Sequence, residues 1–225
     1  LVGSEMCIRD SSNMTDKNIP TAEETTPGND GEKSFNLMQT VKRRLYAMRN
    51  GALAAQMRNG GLNYRINFGV NIPQIKEIAS DLLQTGLTTT ELVDLANALW
   101  SNENTRESRL IAPMILPIEA MTPELATRWL REAQTTEIAD HLCHSLLRKL
   151  PYADAAANAV LADADASDIN RYAALRLILN RLILRKTEPA QAVEQARNEQ
   201  ARKCPLTNTI AAQIIDEADF MANGI

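Results

Sequence analysis

The chain has 225 residues, 44% of them hydrophobic and only 4% aromatic, with a formal charge of −4. That length suits one domain with a tail. Few aromatics alongside abundant Ala and Leu disfavour a sheet protein, and no apolar run is long enough to span a bilayer. Three scattered cysteines, Cys7, Cys143 and Cys204, argue against a disulfide framework and for a reducing, cytoplasmic compartment.

The charge is unevenly placed. Residues 1–33 hold seven acids and three bases, which leaves 21 of each in residues 34–225. The folded part is thus neutral, and any basic surface must come from segregation of charge. The opening "LVGSEMCIRDS" resembles a translated sequencing adapter, so residues 1–13 are expected to be a non-native leader and the natural chain to start at Met14. Residues 14–33, rich in Thr, Pro, Gly and acids, read as a disordered polar tail.

From Ser34 onward the pattern is helical. "SFNLMQTVKRRLYAMR" carries Leu37, Val41, Leu45 and Met48 at helical spacing, and a second helix follows Gly51 until Gly60-Gly61 stops it. In "FGVNIPQIKEIA" Gly69 suits a tight turn, Asn71 an N-cap and Pro73 the first helical turn. Ile72, Ile75, Ile78, Ala79 and Leu82 repeat along that helix, and Gly86 ends it. Helices are then predicted over 88–100, over 105–117 with a kink at Pro113, and over 122–133 with Thr122 as cap. The segments 135–150, 151–164, 167–186, 188–200 and 205–222 complete the series. The segment 167–186 is apolar almost all round, which implies contact on several sides. Helix pairs recur every thirty-odd residues, a period that fits a HEAT-like solenoid or an irregular bundle.

"YRINFGVNIPQIKEIA" (64–79) and "LANALWSNENTRESRLIAPMIL" (95–116) together resemble the DNA alkylation repair family of HEAT-like repeat proteins. The matching features are Gly69, Val70, Pro73, Lys76 and Ala79, then Leu99-Trp100, then Arg106, Glu107 and Arg109. The resemblance implies an all-α, HEAT-like, helical-repeat curved solenoid over 34–225, a monomer that binds duplex DNA, alkylated or not. It also implies a DNA glycosylase-like activity on cationic alkylpurines that needs no cofactor. An N-alkylated purine is already a good leaving group, so a carboxylate need only stabilise the sugar cation and position water. The family's carboxylate lies in a W-x-x-x-D segment, which "TEIAD" matches at Asp140, with Thr136 at the tryptophan position. Its phosphate-holding arginine precedes a small apolar run and corresponds to Arg171 in "NRYAALRL". Trp100 and Trp129, the only tryptophans, read as structural.

On a helix running 136–149, Glu137, Asp140, His141, His144 and Arg148 share one face. Asp140 and His144 are four apart and within reach of each other, so His144 joins Asp140 as a candidate catalytic residue. His141, Cys143 and His144 do not suggest a metal site, since Cys143 points to the opposite face. Arg171, Arg148, Lys149, Arg106, Arg109, Lys42 and Arg43 are the candidate DNA-binding residues. Arg171, Arg176 and Arg181 stand on an otherwise apolar helix and need partners, with Asp140 the candidate for Arg171. The alternative reading is a non-catalytic binder of unusual DNA structures, or a helical scaffold for protein partners.

Overall fold

Asn71 opens a fully capped helix. Its side chain accepts from the Gln74 N–H at 3.0 Å while the Gln74 side chain accepts from the Asn71 N–H, a reciprocal capping box. Just before it, Gly69 adopts φ +67°, and a Cβ there would sit 2.1 Å from the Asn50 carbonyl oxygen. The chain therefore passes against the start of the preceding helix in a way only glycine permits.

The computed structural model describes residues 29–224. Eleven α-helices are present among them: α1 Asn29–Ala47, α2 Gly51–Asn59, α3 Ile72–Gln84, α4 Thr89–Ser101, α5 Arg106–Ile115, α6 Pro123–Glu132, α7 Thr136–Ser145, α8 Ala153–Leu161, α9 Asp168–Ile183, α10 Pro189–Gln200 and α11 Pro205–Asn223. The expected all-α class holds; one isolated bridge between Ile66 and Thr105 is the sole β-type pairing among the described residues. No described helix is long and apolar enough to cross a membrane.

Two boundaries differ from expectation. Helix α1 begins at Asn29, inside the segment read as a disordered tail. The expected leader, and the tail up to residue 28, lie outside the described residues. The expected single helix 136–149 ends at Ser145 and gives way to a 3₁₀ turn over Leu147–Lys149. That break lets Leu146, Leu147 and Leu150 all be buried, and it turns the Leu150 carbonyl toward Arg181 at 2.8 Å.

From α3 onward, successive odd-numbered helices are neighbours. α3 packs on α5, α5 on α7, α7 on α9 and α9 on α11, and α6 packs on α8 in a second row. Hairpin partners α4–α5, α8–α9 and α10–α11 join the rows, and α1 covers α4. α9 contacts α6, α7, α8, α10 and α11, which is why its sequence is apolar nearly all round. One continuous core results, from Val41 and Leu45 through Ile75, Ile78, Leu95 and Leu110 to Ile178, Ile210 and Ile214. Each such side chain contributes roughly 1.5–3 kcal/mol by leaving water. Trp100 and Trp129 are both buried and stack at 4.3 Å, as their structural reading expected. Glu132 accepts from the Trp100 indole N–H at 2.6 Å.

Four buried arginines hold the helix joints. Arg106 donates to both carboxylate oxygens of Glu137 at 2.6 and 2.8 Å, to the Val70 carbonyl at 2.9 Å and to Glu107 at 3.1 Å. Arg109 lies over the Trp100 ring and donates to the Glu132 carbonyl at 2.7 Å. Arg171 reaches the carbonyls of Leu161 and Asp163 and the carboxylate of Glu199. Arg181 binds both oxygens of Asp154 and the carbonyls of Leu150 and Lys186. A buried charge is tolerated only when paired in this way.

Two substitutions test this account. Gly69→Ala should lower unfolding free energy by about 3 kcal/mol or more, read from urea denaturation, because it combines backbone strain with a clash against Asn50. Arg171→Met should cost about 3 kcal/mol in the same experiment by stranding buried loop carbonyls and weakening the hold on Glu199.

Candidate functional site

Thr135 starts α7 by accepting from the Ile138 N–H at 3.2 Å, and Ser167 starts α9 by accepting from Asn170 at 3.3 Å. Asn170 also donates to the Arg131 carbonyl at 2.7 Å, which ties the start of α9 to the end of α6. α7 packs directly against α9. Asp140 on α7 consequently meets Tyr172 and Arg176 on α9.

The three side chains form a closed triangle. The Tyr172 hydroxyl donates to Asp140 Oδ1 at 3.0 Å, and Arg176 Nη2 donates to the Tyr172 oxygen at 2.7 Å. Arg176 Nε lies 2.7 Å from Asp140 Oδ1 but its N–H is not aimed along that line, so this contact is an ion pair rather than a directed hydrogen bond. The Arg176 guanidinium also sits 5.5 Å from the centre of the Tyr172 ring. Burial pushes the Tyr172 hydroxyl above its ordinary range, opposed by the hydrogen bond from Arg176. At Arg176 desolvation works against the charge, yet Tyr172 and Asp140 overcome it and hold the guanidinium more firmly protonated than usual. Tyr172 is 8% exposed, whereas the Asp140 side chain is 44% exposed. A carboxylate is thus presented to solvent from a buried, hydrogen-bonded support.

One turn further along α7, His144 is exposed. Its pKa is lowered by partial desolvation and then by the charges of Arg148, Lys76 and Lys149. Those three cations come from α3 and from the 3₁₀ turn after α7, so their convergence is a tertiary feature. His141 is half-buried, and burial lowers its pKa too, partly offset by Glu137. Cys143 is fully buried, donates its S–H to the Ala173 carbonyl at 3.3 Å, and is pushed far up by desolvation. It does not converge with the two histidines, and no group of three metal-ligating side chains occurs among the described residues.

The placement of the other candidates is mixed. Arg148 is half-buried and Lys149 exposed beside His144, although Arg148 stands on the separate turn rather than on the face of α7. Lys42 and Arg43 are exposed on α1. Arg106, Arg109 and Arg171, expected to bind DNA, are instead buried and paired with carboxylates within the fold. The expected Arg171–Asp140 pair is not formed: Arg171 turns to Glu199, and Arg176 takes the place beside Asp140. Asp140 and His144 make no hydrogen bond to each other, because Asp140 turns toward α9. Tyr172 and Arg176 are therefore the site residues that the motif comparison missed. Their signal was present as an i, i+4 aromatic–arginine pair on a helix with few polar residues.

Neither a search of curated proteins nor a search of solved structures returns a match. A family model described as "DNA alkylation repair enzyme" matches residues 41–179, well over half of the chain. The matched span runs from α1 into α9 and contains Asp140, Tyr172 and Arg176, and on this evidence the chain belongs to the DNA alkylation repair enzyme family.

Proposed function

We propose that the helical rows form a HEAT-like curved solenoid that binds duplex DNA in its concave groove, and that Asp140 serves hydrolysis of the N-glycosidic bond of cationic alkylpurines. The observation that carries this reading is the half-exposed Asp140 carboxylate held by Tyr172 and Arg176, and His144 one turn further along α7 feels the charges of Arg148, Lys76 and Lys149. Membership of the DNA alkylation repair enzyme family supports alkylated DNA as the substrate class.

The chemistry follows from charge. As the bond between the sugar C1′ and purine N9 breaks, its electron pair passes into the ring and neutralises the cation that alkylation at N7 or N3 created, and positive charge moves to the sugar. A fixed carboxylate stabilises that charge without reorganising. Water then adds at C1′, and its proton passes to Asp140 or to solvent. Arg176 balances Asp140 in the free protein; a DNA phosphate competes for the guanidinium and releases the carboxylate for the sugar. The hydroxyl of Tyr172 keeps Asp140 oriented throughout the exchange. Ordinary phosphate contacts come from Lys76, Arg148 and Lys149.

A second reading, a non-catalytic DNA binder, is favoured by Thr136 standing at the family's tryptophan position and by the Arg176 charge already engaging Asp140. One assay separates the two. Methylated duplex DNA incubated with the protein should release 7-methylguanine and 3-methyladenine, and Asp140→Asn should abolish release while leaving DNA retention intact. Salt-sensitive retention without release establishes the binder instead, and loss of both favours a protein scaffold.

Two further outcomes are expected. Lys149→Ala should weaken binding across sequences and lower the log–log salt slope by about one, measured by fluorescence anisotropy. His144 has a lowered pKa in the free protein, so a nearby phosphate raises it and binding takes up a proton. Affinity should accordingly rise as pH falls from about 7.5 to about 5.5. His144→Gln should flatten that dependence.

A further inference from the structure

A cavity of about 210 Å³ lies where α1, the segment before α3, and the α4–α5 joint meet, on elements that do not carry Asp140. Val41, Leu45 and Leu99 form its apolar floor, and Phe68 closes one side. Its far end is polar. Thr105 and Ser108 are 4% and 3% exposed, and both line the cavity at the N-terminus of α5. The Thr105 hydroxyl caps nothing and has no hydrogen-bond partner among the described residues. Ser108 Oγ accepts from the Asn102 amide at 3.2 Å, which leaves its own proton available to donate. At the mouth stands Lys42, which forms no ion pair among the described residues. No carboxylate lines the cavity, and the acids nearest in sequence are committed elsewhere: Glu103 to Arg109 and Glu107 to Arg106.

A hydroxyl that lines a cavity at a helix N-terminus without an internal partner is free to donate to an acceptor placed there. Gln39, Asn102, Thr105 and Ser108 can each donate a hydrogen bond into this cavity, Lys42 is its one charged lining group, and no carboxylate opposes that charge. From this asymmetry we propose that the cavity is a binding site for a small monocarboxylic acid with a compact apolar body, of the size of benzoate. The carboxylate accepts from Thr105 and Ser108 at the start of α5, and the apolar body lies on Val41, Leu45, Leu99 and Phe68. Lys42 supplies the single compensating charge at the entrance. A cavity of about 150 Å³ suffices for a benzene-sized body, so the remaining volume matches one carboxylate group. A phosphate ester with two charges is a poorer fit, because only one cation is present and half the wall is apolar.

The test is calorimetric titration of the full chain with benzoate and with nitrobenzene, its neutral isostere. Benzoate should bind one to one, at least tenfold more tightly than nitrobenzene. Thr105→Val should weaken benzoate about tenfold, the cost of one hydrogen bond to a charged group, and Thr105→Ser should retain it. Lys42→Met should weaken benzoate and leave nitrobenzene unchanged. Thermal unfolding of each variant verifies that the fold persists, which is expected because the Thr105 side chain caps no helix. Absence of saturable benzoate binding up to about 10 mM overturns the proposal. Equal binding of the two ligands, or benzoate affinity unaltered by Thr105→Val, overturns it as well.

Discussion

Buried guanidinium groups set the geometry on which the rest of this structure depends. Helix ends leave carbonyls without partners inside the helix, and short loops between packed helices bring those carbonyls into the interior. An arginine offers five donors in a rigid plane, enough to satisfy two or three carbonyls and a carboxylate together. Arg171 and Arg181 each do this at a different joint, and Arg106 and Arg109 each bind one carbonyl together with a carboxylate at two others. Hydrophobic packing supplies most of the stabilisation, but it has little directional preference. The arginine contacts supply the direction.

The candidate site inherits its precision from those joints. Arg106 grips Glu137, one turn before Asp140 on α7, and so anchors the segment that presents the carboxylate. Arg171 anchors α9 immediately before Tyr172. A five-residue spacing rotates successive side chains by about 140° around a helix, so Arg171, Arg176 and Arg181 face three directions. Two of them bind loops. The middle one emerges at the α7 surface and meets Asp140.

The C-terminal hairpin lies beyond the residues that match the family model, yet it is built into the same framework. Glu199 of α10 receives Arg171, and Thr207 of α11 donates to Glu199 at 3.0 Å. Arg202 pairs with the same carboxylate and with Asp168 at the start of α9. The hairpin thereby buttresses the helix that carries Tyr172 and Arg176 from the side opposite α7. A region outside the family's matched span thus contributes to the positioning of residues within it.

Local signals were legible in the sequence because their causes are local. The Asn71–Gln74 capping box, the turn at Gly69, the threonine caps and the apolar spacing of Ile75, Ile78 and Leu82 all act within a few residues. The place of Asp140 on α7 was legible too, through the capped helix start at Thr135. What lay beyond the sequence was the choice among chemically identical partners. Arg171 and Arg176 are both arginines on one helix, and which of them reaches Asp140 depends on how α9 is rotated against α7 and on where Glu199 waits. The break after Ser145 likewise follows from three leucines and the distant Arg181 competing for one turn of chain. Helix spacing and capping were determined by the sequence itself; pairing, burial of charge and the solvent-facing carboxylate were decided by tertiary packing, because a buried ion takes whichever partner the folded chain brings within reach.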